Sequence, residues 1–311
     1  MQVPVSAIIP TYNRSEVLLA TLQSIADQNT HPDEIIIIDA SNDTSTKEIL
    51  NGIKNLESEI RWEKADEKGA AAQRNQGVIL AKQEFIMFMD DDIILEENCI
   101  ERLWNAINKN ENIGGVNAMI TNQKYNVPGK ITLFMFQLMK DIKFNNYAGK
   151  CIGPAWNILP SDADELPDIN EVDWLNTTCT LYRKQNLPNP AFSSHFKGYS
   201  IFEDLALSLI VGKNSKLLNI KNAKIFHDSQ IGEYKKNHFK MSKMELVNRY
   251  FVMKYIMGKN TFKDYGKLFI LEVFQIISRY KAIKIIPMIV FGKIAGFFEI
   301  LFFKIADDYQ Q

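Results

Sequence analysis

The chain has 311 residues, of which 46% are hydrophobic and 23% are charged, and this balance excludes a wholly disordered protein. Its net charge of −1 hides two unequal parts, because residues 233–311 carry 14 Lys and Arg against 7 Asp and Glu, whereas residues 1–232 carry 22 against 30. The sequence therefore predicts an acidic body in 1–232 and a basic tail in 233–311.

The body begins with two short apolar runs, 5–9 and 34–38, that are rich in isoleucine and valine and typical of strands buried on both faces. Between them, Ser15 is expected to cap a helix. The alternation continues with predicted helices at 44–54, 70–81 and 97–109 and predicted strands at 60–62 and 84–89. This pattern predicts an α/β fold, a doubly wound, mostly parallel sheet with helices on both faces.

The periodicity fades in residues 122–173, which contain four prolines and an aromatic stretch. A long irregular segment inside a domain is commonly functional, so we interpret it as an insertion on the acceptor side of the site. Order resumes with a predicted strand at 178–183, a helix at 202–211 and one or two strands in 216–226.

The basic tail, 233–311, is predicted to be helical and amphipathic. In 268–280, Glu272, Gln275 and Arg279 follow one another at helical spacing among apolar residues. The segment 285–303 is more apolar, but its longest charge-free stretch is shorter than the roughly 18 residues of a spanning helix. We expect peripheral contact with an anionic membrane and no nucleic-acid partner; a helical layer packed on the body is the alternative.

The cellular location follows from the cysteines and the N-terminus. The three cysteines are odd in number and lack the spacing of metal ligands, which is typical of reduced thiols. The first residues enter a strand without the basic and apolar regions of a signal peptide. We therefore expect a cytoplasmic protein, peripheral at the inner face of the plasma membrane.

Three consecutive carboxylates, Asp90, Asp91 and Asp92, follow the predicted strand at 84–89. Adjacent negative charges repel one another unless a cation lies among them. Mg²⁺ or Mn²⁺ suits such a cluster and completes its shell with phosphate oxygens, so a nucleoside diphosphate is the expected ligand. The alternative is a solvated turn or a helix N-terminus.

Four segments together resemble the inverting family 2 glycosyltransferases, which have the GT-A fold. They are 5–14 with Pro10-Thr11-Tyr12-Asn13-Arg14, 34–44 with Asp39, 69–81 together with 85–92 and its acidic triplet, and Phe202-Glu203-Asp204 followed by His227. The resemblance covers roughly residues 3–230 and implies a catalytic, nucleotide-sugar-binding domain in 1–232.

The resemblance implies a donor site. Thr11 and Asp39 would line the base and ribose pocket, and Arg74 would meet the diphosphate or orient the acidic cluster. The full set expected to bind the donor is Pro10, Thr11, Asn13, Asp39, Arg74, Asp90 and Asp91. Taken alone, Asp39 is also compatible with a turn or helix cap, and Arg74 with a surface ion pair.

The resemblance also implies the metal and catalytic residues. Asp90 and Asp92 match the D-x-D pair, with His227 as a further ligand of Mg²⁺ or Mn²⁺. Asp204 would be the general base, and Glu203 would support the site through a hydrogen bond. The alternatives are a structural His227 and two carboxylates that only occupy the start of a helix.

Two features depart from the family pattern. Ala40 stands where many relatives have a second acidic residue, and Asn176-Thr177-Thr178 replaces a glycine-rich loop beside the donor sugar. The neighbouring Trp174 fits either an acceptor-stacking residue or a core residue.

The predicted activity is transfer of a sugar from a nucleotide sugar, most simply a UDP-sugar, to a hydroxyl of a glycan or lipid-linked acceptor, with inversion, in cell-surface polysaccharide synthesis. A non-catalytic membrane-associated scaffold and a nucleotidyltransferase are the alternatives. The latter lacks its expected glycine-rich, basic loop after the first strand.

Overall fold

A computed structural model describes residues 1–50, 52–53, 56–140, 146–163, 165–229 and 236–302. Within these ranges a nine-stranded sheet has the order β3-β2-β1-β4-β10-β6-β11-β5, with β9 paired to β11. A separate hairpin is formed by β7 and β8. The strands are β1 (Gln2–Thr11), β2 (His31–Asp39), β3 (Glu59–Lys64), β4 (Phe85–Met89), β5 (Ile93–Leu95), β6 (Ile113–Ile120), β7 (Cys151–Ile152), β8 (Trp156–Asn157), β9 (Ile169–Val172), β10 (Cys179–Arg183) and β11 (Lys216–His227).

The sheet is mixed but mostly parallel, as predicted. Strands β3, β2, β1 and β4 run parallel, and so do β6 and β11. Strand β10 lies antiparallel between β4 and β6, and β5 and β9 pair antiparallel with β11. The carboxyl ends of β1, β2 and β4 therefore lie at one edge, which is where open α/β sheets bind ligands.

Helices cover both faces of the sheet. In β2, Ile35 and Ile37 face the core that contains α1 and α4, whereas Ile36 and Ile38 face the core that contains α6 and α7. This alternation explains the uninterrupted apolar run, because both faces of the strand are buried. The helices are α1 (Ser15–Ala26), α2 (Ser45–Leu50), α3 (Ala70–Leu80), α4 (Cys99–Ile107), α5 (Lys130–Met139), α6 (Glu203–Val211), α7 (His238–Phe251), α8 (Phe262–Ser278) and α9 (Ile286–Phe302).

Several sequence-based boundaries change in the structure. Ser15 is the first residue of α1 and not its cap; the cap position is Arg14, whose side chain is directed to carboxylates instead. The predicted helix at 44–54 is shorter, and residues 51, 54 and 55 lie outside the described ranges. The insertion 122–173 holds an unpredicted ten-residue helix, α5, and Trp174 is a core residue whose Nε1 donates to the carbonyl of Ile158 at 2.8 Å.

Helices α7, α8 and α9 form the described part of the tail, and the predicted domain boundary at 232/233 falls in 230–235, outside the described ranges. Residues Tyr280–Phe302 are long and apolar enough to cross a membrane by length and composition. A kink with non-helical Ala282 lies between α8 and α9. The stripe of Glu272, Gln275 and Arg279 points at α7 and α9, because Glu272 pairs there with Arg249 and Lys293.

Candidate functional site

A cavity of about 560 Å³ opens at the carboxyl edge of the sheet. It contains most of the residues singled out from the sequence, although they come from five separate elements or loops. Its lining includes Pro10, Thr11, Arg74, Asp90, Asp91, Asp92, Glu203, Asp204 and His227.

The three adjacent carboxylates after β4 have three different environments. Asp90 faces Arg74, whose Nη2 donates to it at 2.7 Å. Asp91 is buried and accepts from the hydroxyl of Thr11 at 2.6 Å. Asp92 lies 3.0 Å from Nε2 of His227. Asp91 and Asp92 lie in the turn after β4, which places the first and third carboxylates near one another and holds the second against Thr11.

Asp91 supports the loop after β1. Burial raises the pKa of its carboxyl to about 6, although the Thr11 hydrogen bond and the Arg14 guanidinium oppose the rise. Nη1 of Arg14 lies 3.2 Å from Asp91 and 3.3 Å from Asp92. The sequence placed Asp91 among the donor-binding residues; the structure gives it contacts that fix the loop beside the cavity.

One group of oxygen and nitrogen atoms has the composition of a metal site. Asp90, Asp92 and His227 each offer a ligand atom, and these atoms lie within 4.8 Å of one another. Two carboxylates and an imidazole match the ligand preferences of Mn²⁺, and two carboxylates match those of Mg²⁺.

Arg74 is a buried cation between the acidic triplet and α6. Its Nη1 lies 3.7 Å from Oε1 of Glu203, beyond hydrogen-bonding distance. Nε and Nη1 of Arg74 and Oε2 of Glu203 are buried without hydrogen-bond partners. A guanidinium with unused donors on the wall of a cavity fits an anionic ligand such as a phosphate.

Glu203 and Asp204 begin α6 behind Phe202, which has a left-handed backbone with φ of 75°. Burial, assisted by the neighbouring carboxylate, raises the pKa of Glu203 to about 8. Burial also raises the pKa of Asp204 to about 6, against a hydrogen bond from the Leu205 amide and the charge of Arg74. Two buried carboxyls of unequal acidity can divide the roles of base and supporting group.

Asp39 and Asn13 are not in the described lining of the cavity. Asp39 is fully buried, accepting from Nε1 of Trp62 at 3.1 Å and from the amide of Ser41 at 2.8 Å. Asn13 accepts from the amide of Asn42 at 3.2 Å. Both residues tie the loop after β1 to the loop after β2, next to the cavity, and their role in donor binding stays a prediction.

This geometry agrees with the comparison to known sequences. The model of the glycosyl transferase family 2 matches residues 6–159, which include β1, β2, β4 and the acidic triplet. The chain belongs to this family.

A known relative is the poly(ribitol-phosphate) beta-N-acetylglucosaminyltransferase TarP of Staphylococcus aureus, 36% identical over 40% of this chain and 38% of TarP. The aligned parts of the chain span less than two thirds of the curated relatives' own lengths.

Solved structures with the GT-A fold resemble this chain. The mannosyltransferase PcManGT of Pyrobaculum calidifontis, solved with GDP-Man and Mn²⁺, aligns with 97% of this chain and 88% of its own at a TM-score of 0.56 and 12% identity. GalNAc-T7, solved with UDP, GalNAc and Mn²⁺, aligns with 77% of this chain and 50% of its own at 0.54 and 15% identity. At these identities the likeness establishes the GT-A fold.

The family 2 site also contains residues that the sequence did not single out. Lys68 lies with its Nζ 3.3 Å from the ring centroid of Tyr12 at the mouth of the cavity. Gln73 donates to the carbonyls of Thr11 and Ile38 and so joins α3 to the ends of β1 and β2. Lys68 lies just before the predicted helix that contains Arg74, and Gln73 lies within that helix. This proximity to Arg74 is the sequence signal that could have identified them.

A second unpredicted feature is a close approach of two glycines across the cavity. Gly69 has φ of 144°, and a Cβ on it would lie 2.9 Å from the backbone nitrogen of Gly198. Glycine is therefore required at position 69. The contact brings the loop with Tyr199 and Ser200, which precedes α6, into the wall of the cavity.

Proposed function

We propose that this chain transfers a sugar from a nucleoside diphosphate sugar to a hydroxyl of a glycan or lipid-linked acceptor, with inversion and with the aid of Mg²⁺ or Mn²⁺, in the synthesis of a cell-surface polysaccharide. The observation that carries the proposal is the meeting of the Asp90, Asp92 and His227 cluster with Glu203 and Asp204 in one cavity. This meeting supports a site in which a metal-binding end and a basic end act on the same substrate.

Asp90, Asp92 and His227 would hold the metal. When bound, a divalent cation supplies positive charge beside the diphosphate that leaves with the nucleotide. Arg74 and Lys68 line the same cavity and add fixed positive charge, and Arg74 has buried donors left for phosphate oxygens. A UDP-sugar is the first donor to test, since GalNAc-T7, which shares the fold, was solved with UDP.

Asp204 is proposed as the base that removes the proton from the acceptor hydroxyl. Its pKa of about 6 leaves it largely ionised near neutral pH, as a base requires. Glu203, with a pKa of about 8, is largely protonated there and fits a supporting hydrogen-bond donor. Inversion follows if the acceptor enters from the side of Asp204 and the diphosphate departs from the opposite face of the sugar.

The location is proposed to be the cytoplasmic side of the plasma membrane, with residues 233–311 in peripheral contact with lipid. The exposed apolar residues of α8 and α9 and the net positive charge of the tail support that contact. The other domain assignments, a catalytic unit in 1–232 and an acceptor-side insertion in 122–173, remain part of the proposal.

Calorimetric titration of UDP with Mn²⁺ and with a chelator tests the donor site. Binding should need the metal, and Asp92→Asn should weaken it at least about tenfold, since metal-ligand losses have effects of that size. The matched control is Asp27→Asn, an exposed aspartate at the end of α1. Metal-independent UDP binding, or equal effects of the two substitutions, would contradict the proposed metal site.

Release of UDP from a panel of UDP-sugars then separates an enzyme from a scaffold. Asp204→Asn should lower turnover by about 10² to 10⁴ while UDP binding is kept, as expected for loss of a general base. A scaffold would show no turnover in either protein. Release of pyrophosphate instead of UDP, from a nucleoside triphosphate and a sugar phosphate, would favour a nucleotidyltransferase.

A further inference from the structure

Helix α8 has an inverted distribution of polar and apolar side chains. Its charged residues Lys267 and Glu272 are buried against the protein, whereas Phe269 is 70% exposed and Ile277 is 63% exposed. A helix on the surface of a water-soluble protein normally has the opposite arrangement. The exposed face of α8 is therefore built for an apolar environment.

A buried group of charges holds the inward face of α8. Glu272 pairs with Arg249 of α7 at 3.0 Å and with Lys293 of α9, and Lys293 also lies 2.8 Å from Glu245 of α7. Burial disfavours the charged form of Glu245, but Lys293 and Arg249 outweigh it and hold the pKa of this carboxyl below its usual value. Removing one partner would leave an unpaired buried charge, so the three helices are firmly linked.

Helix α9 is tied to α7 along its length. A Cβ on Gly292 would lie 2.1 Å from Oγ of Ser242, and one on Gly296 would lie 3.0 Å from the carbonyl of Lys243. Tyr280–Phe302 has the length to cross a bilayer, but crossing would separate Lys293 from Glu245 and Glu272 inside hydrocarbon. The packing favours an α9 that lies parallel to the membrane.

Helix α5, from the insertion, joins α8 and has an apolar outer face of its own. The Nζ of Lys267 donates to the carbonyl of Met139 at 2.9 Å, and Leu271 packs with Phe136 and Met139. Outward from this contact, Ile131 and Phe134 are 73% and 65% exposed. The exposed large apolar residues of the three helices are Ile131, Leu133, Phe134, Leu138, Phe262, Tyr265, Phe269, Ile270, Val273, Ile277, Met288, Phe291, Ile294, Phe297, Phe298, Leu301 and Phe302.

The most exposed charges of α8, α9 and the segment between them are basic. Between 262 and 302 the exposed charged side chains are Lys263, Arg279, Lys281 and Lys284, whereas the partly exposed Asp264 and Glu299 are bonded to Thr261 and Lys243. Residues 122–140 contain three lysines and no acidic residue. Basic groups beside an apolar surface complement anionic lipid headgroups. A second copy of the chain, docked face to face, would bring these like charges together.

We propose that α5, α8 and α9 form one docking surface for a bilayer that contains anionic phospholipid, with α9 lying in the plane of the interface. The docking surface extends the membrane contact of the tail to the insertion. Its role, to bring the cavity to a membrane-borne acceptor, rests on the proposed function. Because α5 belongs to the insertion, the catalytic unit itself meets the lipid.

Flotation of the full chain with vesicles tests the surface. The vesicles contain either phosphatidylglycerol and phosphatidylcholine in equal parts or phosphatidylcholine alone. The chain should bind the anionic vesicles and be released by high salt. Each paired substitution, Ile131→Ser with Phe134→Ser, Phe269→Ser with Ile277→Ser, and Lys281→Glu with Lys284→Glu, should weaken binding at least about tenfold.

Matched controls are Ile79→Ser, an 80% exposed isoleucine on α3, and Lys213→Glu, an exposed lysine after α6. Neither should change vesicle binding. Circular dichroism and metal-dependent UDP binding report whether each variant is folded and whether its donor site is intact. If the wild-type chain binds UDP but no vesicles, the docking surface is contradicted and the proposed function is not. If it binds vesicles but no nucleotide, the proposed function is contradicted and the docking surface is not.

Three other outcomes would contradict the proposed docking surface. Unchanged vesicle binding by the variant with Ile131→Ser and Phe134→Ser would show that α5 is not part of the surface. Retention on vesicles after alkaline carbonate washing would show that α9 inserts across the bilayer. A concentration-dependent dimer in sedimentation, lost in the Phe269 and Ile277 pair and accompanied by no vesicle binding, would assign the surface to a second copy of the chain.

Discussion

Nε2 of His227 lies 3.0 Å from Oδ1 of Asp92, and this contact joins the end of β11 to the acidic triplet that follows β4. The two residues are 135 positions apart, and their approach depends on the register of β11 against β5, in which His227 is opposite Ile93. An imidazole held beside a carboxylate is well placed to share a metal ion with it.

We expect His227→Ala to weaken Mn²⁺-dependent UDP binding by about 10 to 100-fold, the range typical of losing a group that supports a metal site. Titration calorimetry measures this affinity, with His238→Ala at the start of α7 as the control. An affinity equal to that of the wild type, or an equal loss in His238→Ala, would contradict a role of His227 in the metal site.

A second prediction concerns the pH dependence of turnover. Because the pKa of Asp204 is raised to about 6 by burial, the fraction of ionised base should increase as pH rises through that value. The rate of UDP release from a productive UDP-sugar should therefore rise between about pH 5 and 7, the interval over which a base with a pKa of about 6 ionises. Residual turnover of Asp204→Asn should lack this rise, and a variant that keeps it would place the titrating group elsewhere.

The stability of the protein should also depend on pH through Glu203. Its pKa is raised from 4.5 to about 8, so the folded state holds a proton that the unfolded state loses as pH rises through that interval. Stability is thus lost between about pH 4.5 and 8, and it is fully present below that range. Glu203→Gln cannot ionise, so its stability relative to the wild type should increase as pH rises. The gain in unfolding free energy should reach a few kcal/mol, and the thermal midpoint should rise with it.

Calorimetric scans of both proteins at pH 5 and pH 8 measure this difference. A Gln variant whose advantage is the same at both pH values would contradict a protonated, buried Glu203.

The sequence predicted the features of the site that depend on local hydrophobic pattern, namely where strands end. Strand ends near Thr11, Asp39 and Met89 could be located because apolar runs stop at or close to these residues, and the ends of parallel strands share one edge. The order of the elements then fixed the sheet and its two helical layers, since few topologies satisfy right-handed crossovers.

The features that the sequence did not yield depend on partners far along the chain. The inward orientation of Glu272 is set by Arg249 and Lys293, and a helical stripe alone does not tell which face is buried. The burial of Asp39 is set by the pairing of β2 with β3, which brings Trp62 to it. Helix α5 was missed because Pro128 and Gly129 directly precede it and its ten residues are too few to show a clear helical period.

The indole of Trp62 provides a fourth test. Trp62→Phe keeps an aromatic ring but leaves one oxygen of the fully buried Asp39 without a donor, which should cost about 1–3 kcal/mol of unfolding free energy. Adding Asp39→Asn to Trp62→Phe should remove part of that cost, because the unpaired charge is gone. Denaturant titrations of the two single variants and the double variant give the coupling, and strict additivity would show that the two side chains act independently.

The last prediction concerns the contact of α7 with the loop before α6. The side-chain amide of Asn248 donates to the carbonyl of Ile201 at 2.8 Å and to the hydroxyl of Ser200 at 3.0 Å, and its oxygen lies 2.9 Å from Nε2 of His195. Ser200 lines the cavity, and Glu203 follows two residues after Ile201. The tail thus positions the start of α6, which holds the proposed base.

Asn248→Ala should free this loop and lower the rate of UDP release by roughly tenfold or more, since small displacements of a reacting group are costly, while the affinity for UDP with Mn²⁺ stays the same. The matched control is Asn237→Ala, which removes the side-chain cap of the same helix at a cost of about 1 kcal/mol. If both variants lower turnover equally, α7 acts through overall stability. A selective loss in Asn248→Ala, with unchanged UDP affinity, identifies Asn248 as a positioning residue that connects the helical tail to catalysis.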